Sequence, residues 1–280
     1  MIGKIGEEGM ATVYKGLQIS LNRPVAVKVL SKNVAARAGI LERFKKESLI
    51  IARLNNPYII HVIDRGITPE GMPYFVMEYI EGTDLARAIQ GGSLDFNRKL
   101  ELMVQICKAV AYAHKNGVIH RDIKPGNVLI DADGNARMLD FGIAQFYDED
   151  EGDAGHTRPG VIMGTLPYMS PEQMASADNV TMLSDLYSLG VLMYELFTGV
   201  KPVGRFKLPG EIDRTIPRPL EEIIMTCMDQ EPINRPASGD DIKDRLLKLL
   251  QGAHLATAQR ERATQGITTN IENKFALLDV

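Results

Sequence analysis

Cysteine and tryptophan are scarce in this chain. Its 280 residues include two cysteines, Cys107 and Cys227, and no tryptophan. Neither cysteine belongs to a Cys-x-x-Cys pair or to a Cys/His cluster, so the sequence indicates no zinc site and no disulfide framework. A reduced, cytoplasmic setting is the expectation for such a chain.

The chain also has no excess of basic charge and no long apolar run. It carries 32 Lys and Arg against 36 Asp and Glu, a net charge of -4. Nucleic-acid binding needs a basic face that displaces counterions from phosphates, so we expect no nucleic-acid partner. Residues 186–200 form the richest apolar stretch, and polar residues interrupt it before it reaches the length of about 18 residues that a membrane span requires. We therefore expect no membrane span in this chain.

The hydrophobic pattern changes near residue 80. Before that point, apolar residues that alternate with polar ones predict strands, together with one helix. After it, apolar residues recur at helical spacing. The predicted strands are 2–5, 12–17, 24–30, 59–64 and 73–79, and the predicted helices are 41–54, 85–89, 96–116, 184–198, 220–230 and 239–250. This order predicts an α+β fold in two lobes, one rich in strands and one helical, with a cleft between them.

The densest polar motif runs from His120 to Asn127, with the sequence His-Arg-Asp-Ile-Lys-Pro-Gly-Asn, and Asp140-Phe141-Gly142 begins eighteen residues after Asp122. Together these residues resemble the catalytic loop and metal-binding motif of bacterial, eukaryotic-like serine/threonine protein kinases. Phosphoryl transfer needs a carboxylate to orient the attacking hydroxyl, oxygen ligands for Mg²⁺, and positive charge near the transferred group. The resemblance gives the first role to Asp122, the metal role to Asn127 and Asp140, and the last role to Lys124. Mn²⁺ is an alternative metal.

A second motif combines Lys28, at the end of an apolar strand segment, with Glu47 in the first predicted helix. A lysine in this position is by itself an ordinary solvated edge residue. In the resembled family, however, such a pair holds the α- and β-phosphates of ATP, and its ion pair forms in the active arrangement. The resemblance therefore implies catalytic roles for Lys28 and Glu47.

A glycine-containing turn is predicted at residues 6–9, between the first two strands. Residues 5–13 resemble the family's Gly-x-Gly-x-x-Gly-x-Val phosphate loop imperfectly, because Glu8 replaces the second glycine and Ala11 the third. Glycine serves there because it lets backbone N–H groups approach the phosphates. A carboxylate near a polyanion would weaken ATP binding, so an ATP-binding pseudokinase or scaffold remains an alternative hypothesis.

Residues 75–80 resemble the hinge that lies behind the adenine of ATP. By resemblance, Met77 guards the back pocket, while Glu78 and Ile80 offer backbone groups to the adenine edge. The implied nucleotide-binding set is Ile5, Gly6, Glu7, Glu8, Gly9, Val13, Ala26, Lys28, Met77, Glu78, Ile80, Asp84 and Leu129, with Asp84 at the ribose.

The acceptor class follows from Lys124 and from Thr165. The resemblance places both in the serine/threonine branch of the family, with Thr165 bridging Asp122 and Lys124. A small-molecule kinase is the less favoured alternative, since such enzymes usually lack the Lys-Pro pair after the catalytic aspartate. The expected partners are ATP and a protein substrate of unknown identity.

Three structural contacts and one control site are also implied. Glu172, in Ser170-Pro171-Glu172, and Arg235 form the family's usual ion pair, and Asp185 bonds the backbone of the catalytic loop. The charge of Arg121 is expected to be compensated by a phosphate group added to the segment between Asp140 and Glu172. Thr157 is the favoured phosphorylation site there. Autophosphorylation there would involve a transient homodimer.

These assignments give domain boundaries. We expect a kinase domain over residues 1–250, with an N-lobe at 1–79, a hinge at 78–83 and a C-lobe at 84–250, followed by a helical or flexible extension at 251–280. The segment 199–219 is rich in proline and glycine and is predicted to be a loop, so the helix that often docks protein substrates is expected to be lost or very short.

Overall fold

The computed structural model describes residues 1–8, 11–36, 39–141 and 166–252, with Glu8, Glu47 and Ala177 described by their backbone alone. The N-lobe contains five antiparallel strands in the order β1-β2-β3-β5-β4. Their bounds are β1 Gly3–Glu8, β2 Ala11–Gln18, β3 Arg23–Leu30, β4 Val62–Ile67 and β5 Pro73–Glu78. The predicted strands are present, with ends shifted by a few residues.

One local prediction is wrong. Residues 6–9 were expected to form a turn, yet β1 continues through Glu8, because Gly6, Glu7 and Glu8 pair with Val13, Thr12 and Ala11 of β2. Ladder pairing satisfies the backbone groups that a wider turn would leave to solvent. Gly9 and Met10, which link the two strands, lie outside the described residues.

Two helices, α1 Lys32–Ala35 and α2 Ile40–Ile51, cover one face of this sheet. Phe44 of α2 meets Phe75 of β5 edge to face, with ring centroids 4.9 Å apart. Both rings are almost completely buried. Aromatic pairs of this kind stabilise a core beyond the area they bury, so this contact anchors α2 to the sheet.

The C-lobe is mainly helical. Its helices are α3 Leu85–Gln90, α4 Phe96–Lys115, α5 Pro171–Ala175, α6 Met182–Thr198, α7 Pro209–Ile212 and α8 Arg218–Cys227, and α9 is described over residues 239–252. Helices α4 and α6 supply nearly half of the large buried cluster of this lobe, which reaches from Leu54 to Leu246. The predicted helices are present, and the α+β, two-lobed architecture is confirmed. None of the described helices is both long and apolar enough to cross a membrane.

A small sheet of three short strands was not predicted. Strands β6 Gly82–Asp84, β7 Val128–Asp131 and β8 Ala136–Met138 pair in that order, antiparallel, at the upper edge of the C-lobe. Three or four residues are too few to show an alternating pattern. This sheet carries the residues that flank the cleft.

The segment after α6 is mostly irregular, as expected. It contains α7, a helix of four residues, within an otherwise loop-like stretch between Gly199 and Pro217. Gly199 ends α6 with a φ of 75°, a left-handed conformation that glycine adopts without steric cost.

Candidate active site

A buried carboxylate on α6 holds the loop of residues 120–127 in place. The Asp185 side chain accepts hydrogen bonds from the backbone N–H groups of His120, at 2.8 Å, and Arg121, at 2.9 Å. It also lies 2.8 Å from Nε2 of His114. Burial alone would raise the pKa of Asp185, but these contacts prevail and lower it. Asp185 is therefore an ionised carboxylate that fixes the backbone of the loop by hydrogen bonds.

Two non-glycine residues of the site have left-handed backbones. Arg121 has a φ of 68° and Asp140 a φ of 62°. Such conformations cost free energy and persist when surrounding contacts impose them. The Arg121 carbonyl accepts a 2.8 Å hydrogen bond from Gln173, and Leu139, just before Asp140, donates to the Asn127 carbonyl at 2.9 Å. The strain is therefore held by contacts from α5 and from the loop itself.

Asp122, Lys124 and Asn127 form one polar cluster. Oδ2 of Asp122 lies 2.8 Å from Nζ of Lys124 and accepts a 2.8 Å hydrogen bond from Nδ2 of Asn127. The same Nδ2 donates to the Asp122 carbonyl at 2.7 Å. Within the described part of the chain, Oδ1 of Asp122 and Oδ1 of Asn127 are buried and have no hydrogen-bond partner. The cluster thus contains two buried acceptor oxygens that are available to bind a ligand.

Lys28 and Asp140 meet across the cleft. Nζ of Lys28, on β3, lies 2.5 Å from Oδ2 of Asp140 in the C-lobe, and both side chains are largely buried. A buried lysine needs such a partner because desolvation penalises its charge. Lys28 from the N-lobe and Asp140 from the C-lobe thus form one pair. The Leu139 N–H, just before Asp140, links this pair to the Asp122–Asn127 cluster through the Asn127 carbonyl.

The donor set fits a hard divalent cation. Asn127 contributes a buried, unsatisfied carbonyl oxygen, and Asp140 contributes a carboxylate. Mg²⁺ typically takes one or two protein oxygens and completes its shell with water and substrate phosphates. The described residues contain no group of three or more His, Cys, Asp or Glu that would hold a metal without such help.

The predicted adenine site lies between β2, β3, β5 and β7. Ala26 and Met77 are buried and pair with each other across β3 and β5, while Val13 and Leu129 are half-buried. Ile80 is half-buried and packs against the N-lobe core. These apolar side chains form the walls that an adenine ring would complete.

The phosphate-loop residues lie on the open side of the N-lobe. Ile5 and Glu7 are exposed, Gly6 is partly buried, and Glu7 forms an ion pair with Lys4. Gly9 and the Glu8 side chain are outside the described structure. The question that Glu8 raises about phosphate binding therefore stays a prediction.

Asp84 has a local role in the structure. Its carboxylate caps α3 by accepting a 2.8 Å hydrogen bond from the Arg87 N–H, and it also pairs with the Arg87 guanidinium at 3.2 Å. N-cap aspartates satisfy backbone donors that the helix leaves open. The predicted ribose contact stays a prediction.

Glu172 and Arg235 form a buried two-point ion pair, with N–O distances of 2.7 and 2.9 Å. Ser184 of α6 donates to the same carboxylate at 2.8 Å. Burial favours the neutral acid, yet the hydrogen bonds from Arg235, the backbone and Ser184 lower the pKa of Glu172 to about 2. The pair joins the segment after the site to the C-terminal part of the lobe.

Several predicted residues lie outside the described structure. They are the Glu47 side chain, Gly9, Thr157 and Thr165. The pairing of Glu47 with Lys28, the bridging role of Thr165 and the phosphorylation of Thr157 stay predictions.

Two residues that position the site were not singled out from the sequence. Nε2 of His120 lies 2.8 Å from the Leu139 carbonyl, and its ring packs against Phe141 at 4.5 Å between centroids. Gln173 contacts the backbone of Arg121, which is 52 positions earlier in the chain. His120 belongs to the motif and was within reach of motif reasoning. The role of Gln173 could not be predicted from the residues around it, because its partner is distant in the sequence.

The comparisons with known proteins agree with this geometry. The family profile described as Protein kinase domain matches residues 1–275. The chain is 35% identical over 282 residues to the probable serine/threonine-protein kinase CPE1738 of Clostridium perfringens, covering 95% of this chain and 40% of that protein. It is 40% identical over 204 residues to the serine/threonine-protein kinase PknB of Mycobacterium tuberculosis, covering 71% of this chain and 32% of that protein.

A solved structure extends the likeness to three dimensions. The kinase domain of Mycobacterium tuberculosis PknI superposes with a TM-score of 0.70 at 25% identity, covering 88% of this chain and 93% of that one. The chain spans about two fifths or less of the length of the two curated relatives named above. Because the family profile covers nearly the whole chain, the chain belongs to the protein kinase family.

Proposed function

We propose that this chain is a serine/threonine protein kinase that transfers the γ-phosphoryl group of ATP to a protein hydroxyl. The observation that carries the proposal is the polar centre in which Lys28 and Asp140 meet beside Asp122 and Asn127. Relatives named as serine/threonine-protein kinases support the acceptor class. These relatives do not support the pseudokinase alternative, which depended on Glu8 alone.

Asp122 is the residue that would receive the substrate. Its Oδ2 is engaged by Lys124 and Asn127, which leaves Oδ1 as the acceptor for the attacking hydroxyl. The hydroxyl oxygen forms a bond to the γ-phosphorus, the bond from that phosphorus to the β–γ bridging oxygen breaks, and ADP leaves. The hydroxyl proton passes to the Asp122 carboxylate, while the Lys124 ammonium offsets the negative charge nearby.

Lys28, Asn127 and Asp140 would hold the phosphates and the metal. We infer Mg²⁺ as the cation, with Mn²⁺ as the alternative, at Asn127 Oδ1 and the Asp140 carboxylate. When bound, the metal supplies charge neutralisation on the phosphates. The apolar walls around Ala26 and Met77 would exclude water from the adenine.

The partners of the reaction follow from its chemistry. We infer a protein substrate, and a transient homodimer when the chain phosphorylates itself at Thr157. Arg121, on the loop next to Asp122, is the residue expected to form an ion pair with a phosphate on that threonine. Replacing Thr157 with alanine would leave activity unchanged if this control did not exist.

The proposal is tested by labelled phosphate transfer. Asp122→Asn should lower transfer from γ-labelled ATP to a generic protein substrate by about a hundredfold or more, since general-base groups contribute about 10²–10⁴. Asp133→Asn is the matched control, because Asp133 lies on the exposed turn between β7 and β8. Hydrolysis of the product should yield phosphoserine or phosphothreonine. A folded wild-type chain that transfers nothing with Mg²⁺ or Mn²⁺, or an Asp122→Asn variant with full activity, would contradict the proposal.

A further inference from the structure

Behind the cleft, the N-lobe is hydrogen-bonded directly to the small sheet of the C-lobe. Ile59 forms a parallel bridge with Met138 of β8. The Met138 N–H donates to the Tyr58 carbonyl at 2.8 Å, and the Ile60 N–H donates to the Met138 carbonyl at 2.9 Å. The two lobes therefore share backbone hydrogen bonds at β8.

A charged pair lies next to this bridge. Arg137, the residue before Met138, forms an ion pair with Glu78 at the end of β5, and their side chains are 18% and 30% exposed. The same Glu78 oxygen accepts a 2.7 Å hydrogen bond from the His61 N–H, and the Glu78 N–H donates to the His61 carbonyl at 3.0 Å. Glu78 is thus held from both lobes at once.

The pair connects two walls of the proposed adenine site. In the small sheet, Arg137 is paired directly with Leu129, the predicted floor beneath the adenine. Glu78 follows Met77 at the hinge, and its backbone is predicted to bond the adenine edge. A contact between Arg137 and Glu78 therefore limits the separation of the floor from the hinge backbone.

We propose that Glu78 and Arg137 are a positioning pair that preorganises the adenine half of the nucleotide site. This inference rests on the proposed function, because it assumes that a nucleotide binds between Leu129 and the hinge. Without the pair, floor and hinge must be ordered when the base binds, and that ordering cost reduces affinity. Lys28 and Asp140 are joined by their own ion pair, so the phosphate half should not depend on Arg137.

The surroundings allow the pair to be removed without disrupting the fold. A cavity of about 310 Å³ borders it, lined by Leu54, Asn55, Asn56, Pro57, Ile59, His61, Glu78 and Arg137. Most of these lining residues are either polar or accessible to solvent. Water can therefore occupy the space of a missing guanidinium group and bond its former partners. Gln is close to Arg in its first methylenes and keeps a hydrogen-bonding end.

The test compares three ligands by titration calorimetry: adenosine, ADP and inorganic tripolyphosphate. For Arg137→Gln we expect the Kd of adenosine and of ADP to rise about twofold to fivefold, the range of a partly exposed ion pair. The Kd of tripolyphosphate should change by less than about twofold. Glu78→Gln should weaken adenosine and ADP binding in the same way and should likewise leave tripolyphosphate binding nearly unchanged. Arg137→Lys should keep the Kd of adenosine within about twofold of wild type.

The control is Arg245→Gln, which removes an Arg–Asp pair within α9 that is remote from the hinge in the fold. It should leave all three constants unchanged. An unchanged Kd for adenosine in Arg137→Gln, or an equal loss for adenosine and tripolyphosphate, would overturn the inference. If the wild type transfers phosphate while Arg137→Gln binds adenosine normally, only this inference fails. If the wild type binds neither adenosine nor ADP, the proposed function itself fails.

Discussion

Glu172 shows how a single side chain can depend on its neighbours for its charge. Its partner Arg235 is fully buried, and Glu172 itself is 14% exposed. An arginine so placed needs a compensating anion, since removing one partner of a buried pair leaves an uncompensated charge. The Glu172 carboxylate therefore stabilises the fold by neutralising the charge of Arg235, and its low pKa reflects that contact.

We expect Glu172→Gln to lower the free energy of unfolding at pH 7 by about 3 kcal/mol, the cost typical of breaking a buried pair. Urea unfolding followed by circular dichroism measures this change. Glu222→Gln is the control, because Glu222 pairs with Arg218 on the exposed face of α8 and should change stability by less than about 0.5 kcal/mol. Equal effects of the two substitutions would contradict the assignment.

The same contact has a pH signature. The folded pKa of Glu172, about 2, is below its ordinary value of 4.5. A group with a depressed folded pKa contributes stability that is present above the unfolded pKa and is lost as pH falls through the folded one. The stability difference between wild type and Glu172→Gln should therefore be constant above about pH 5 and should shrink as the pH falls from about 4.5 towards 2.

At the scale of elements, the site depends on how α6 packs. Its first turn supplies Asp185 to the 120–127 loop, and its middle crosses α8 closely at Gly190. A Cβ atom on Gly190 would lie 2.7 Å from Cβ of Cys227 and 2.8 Å from Cγ of Met228. The glycine is therefore required by close packing between helices, since cores at this density have no room for an added methyl group.

We predict that Gly190→Ala destabilises the chain by about 1–3 kcal/mol, the usual cost of overpacking. The better helix propensity of alanine offsets at most about 1 kcal/mol of this loss. Chemical denaturation measures the change. Gly252→Ala on α9, where none of the described residues lies within 4 Å of the added Cβ, should be neutral or slightly stabilising. A neutral result for Gly190→Ala would show that α6 and α8 separate easily.

At the scale of the whole molecule, the two lobes have separate buried clusters. The smaller one lies between the five-stranded sheet and α2, and the larger one lies among the helices of the C-lobe. Both cysteines belong to the larger cluster and are completely buried. Their reactivity therefore reports on whether the C-lobe is folded.

We expect neither thiol to react with Ellman's reagent at pH 8 until the C-lobe unfolds. Burial raises the pKa of Cys107 strongly and that of Cys227 to about 12, and the thiolate is the reactive form. In denaturing urea, two thiols per chain should react. Fast labelling of the native chain, at the rate of a free thiol, would indicate that the helices around α4 and α8 open locally.

The features that were predicted well from the sequence are local in the chain. The 120–127 motif, Asp140 and Lys28 were identified from short runs and spacing. The structure pairs Lys28 with Asp140 and Asp122 with Asn127, while their catalytic roles stay predictions. The long helices α4 and α6 follow from apolar periodicity, because enough turns are present to show it. The end of strand β1 was predicted wrongly, since the glycines at positions 6 and 9 indicated a turn and only pairing with β2 extends the strand through Glu8.

Residue types at motif spacing were enough to predict the chemistry that we propose for this chain, because the carboxylates, the lysines and the asparagine limit what the site can bind. Some of the groups that support them were decided by the tertiary structure alone. Gln173 on Arg121 and Arg137 on Glu78 each join residues more than 50 positions apart. The contact of Asp185 with His120, equally distant in the chain, was expected only from the family resemblance. Such contacts exist only after α5, α6 and the small sheet have packed, because local propensity holds no information about a partner that distant in the chain.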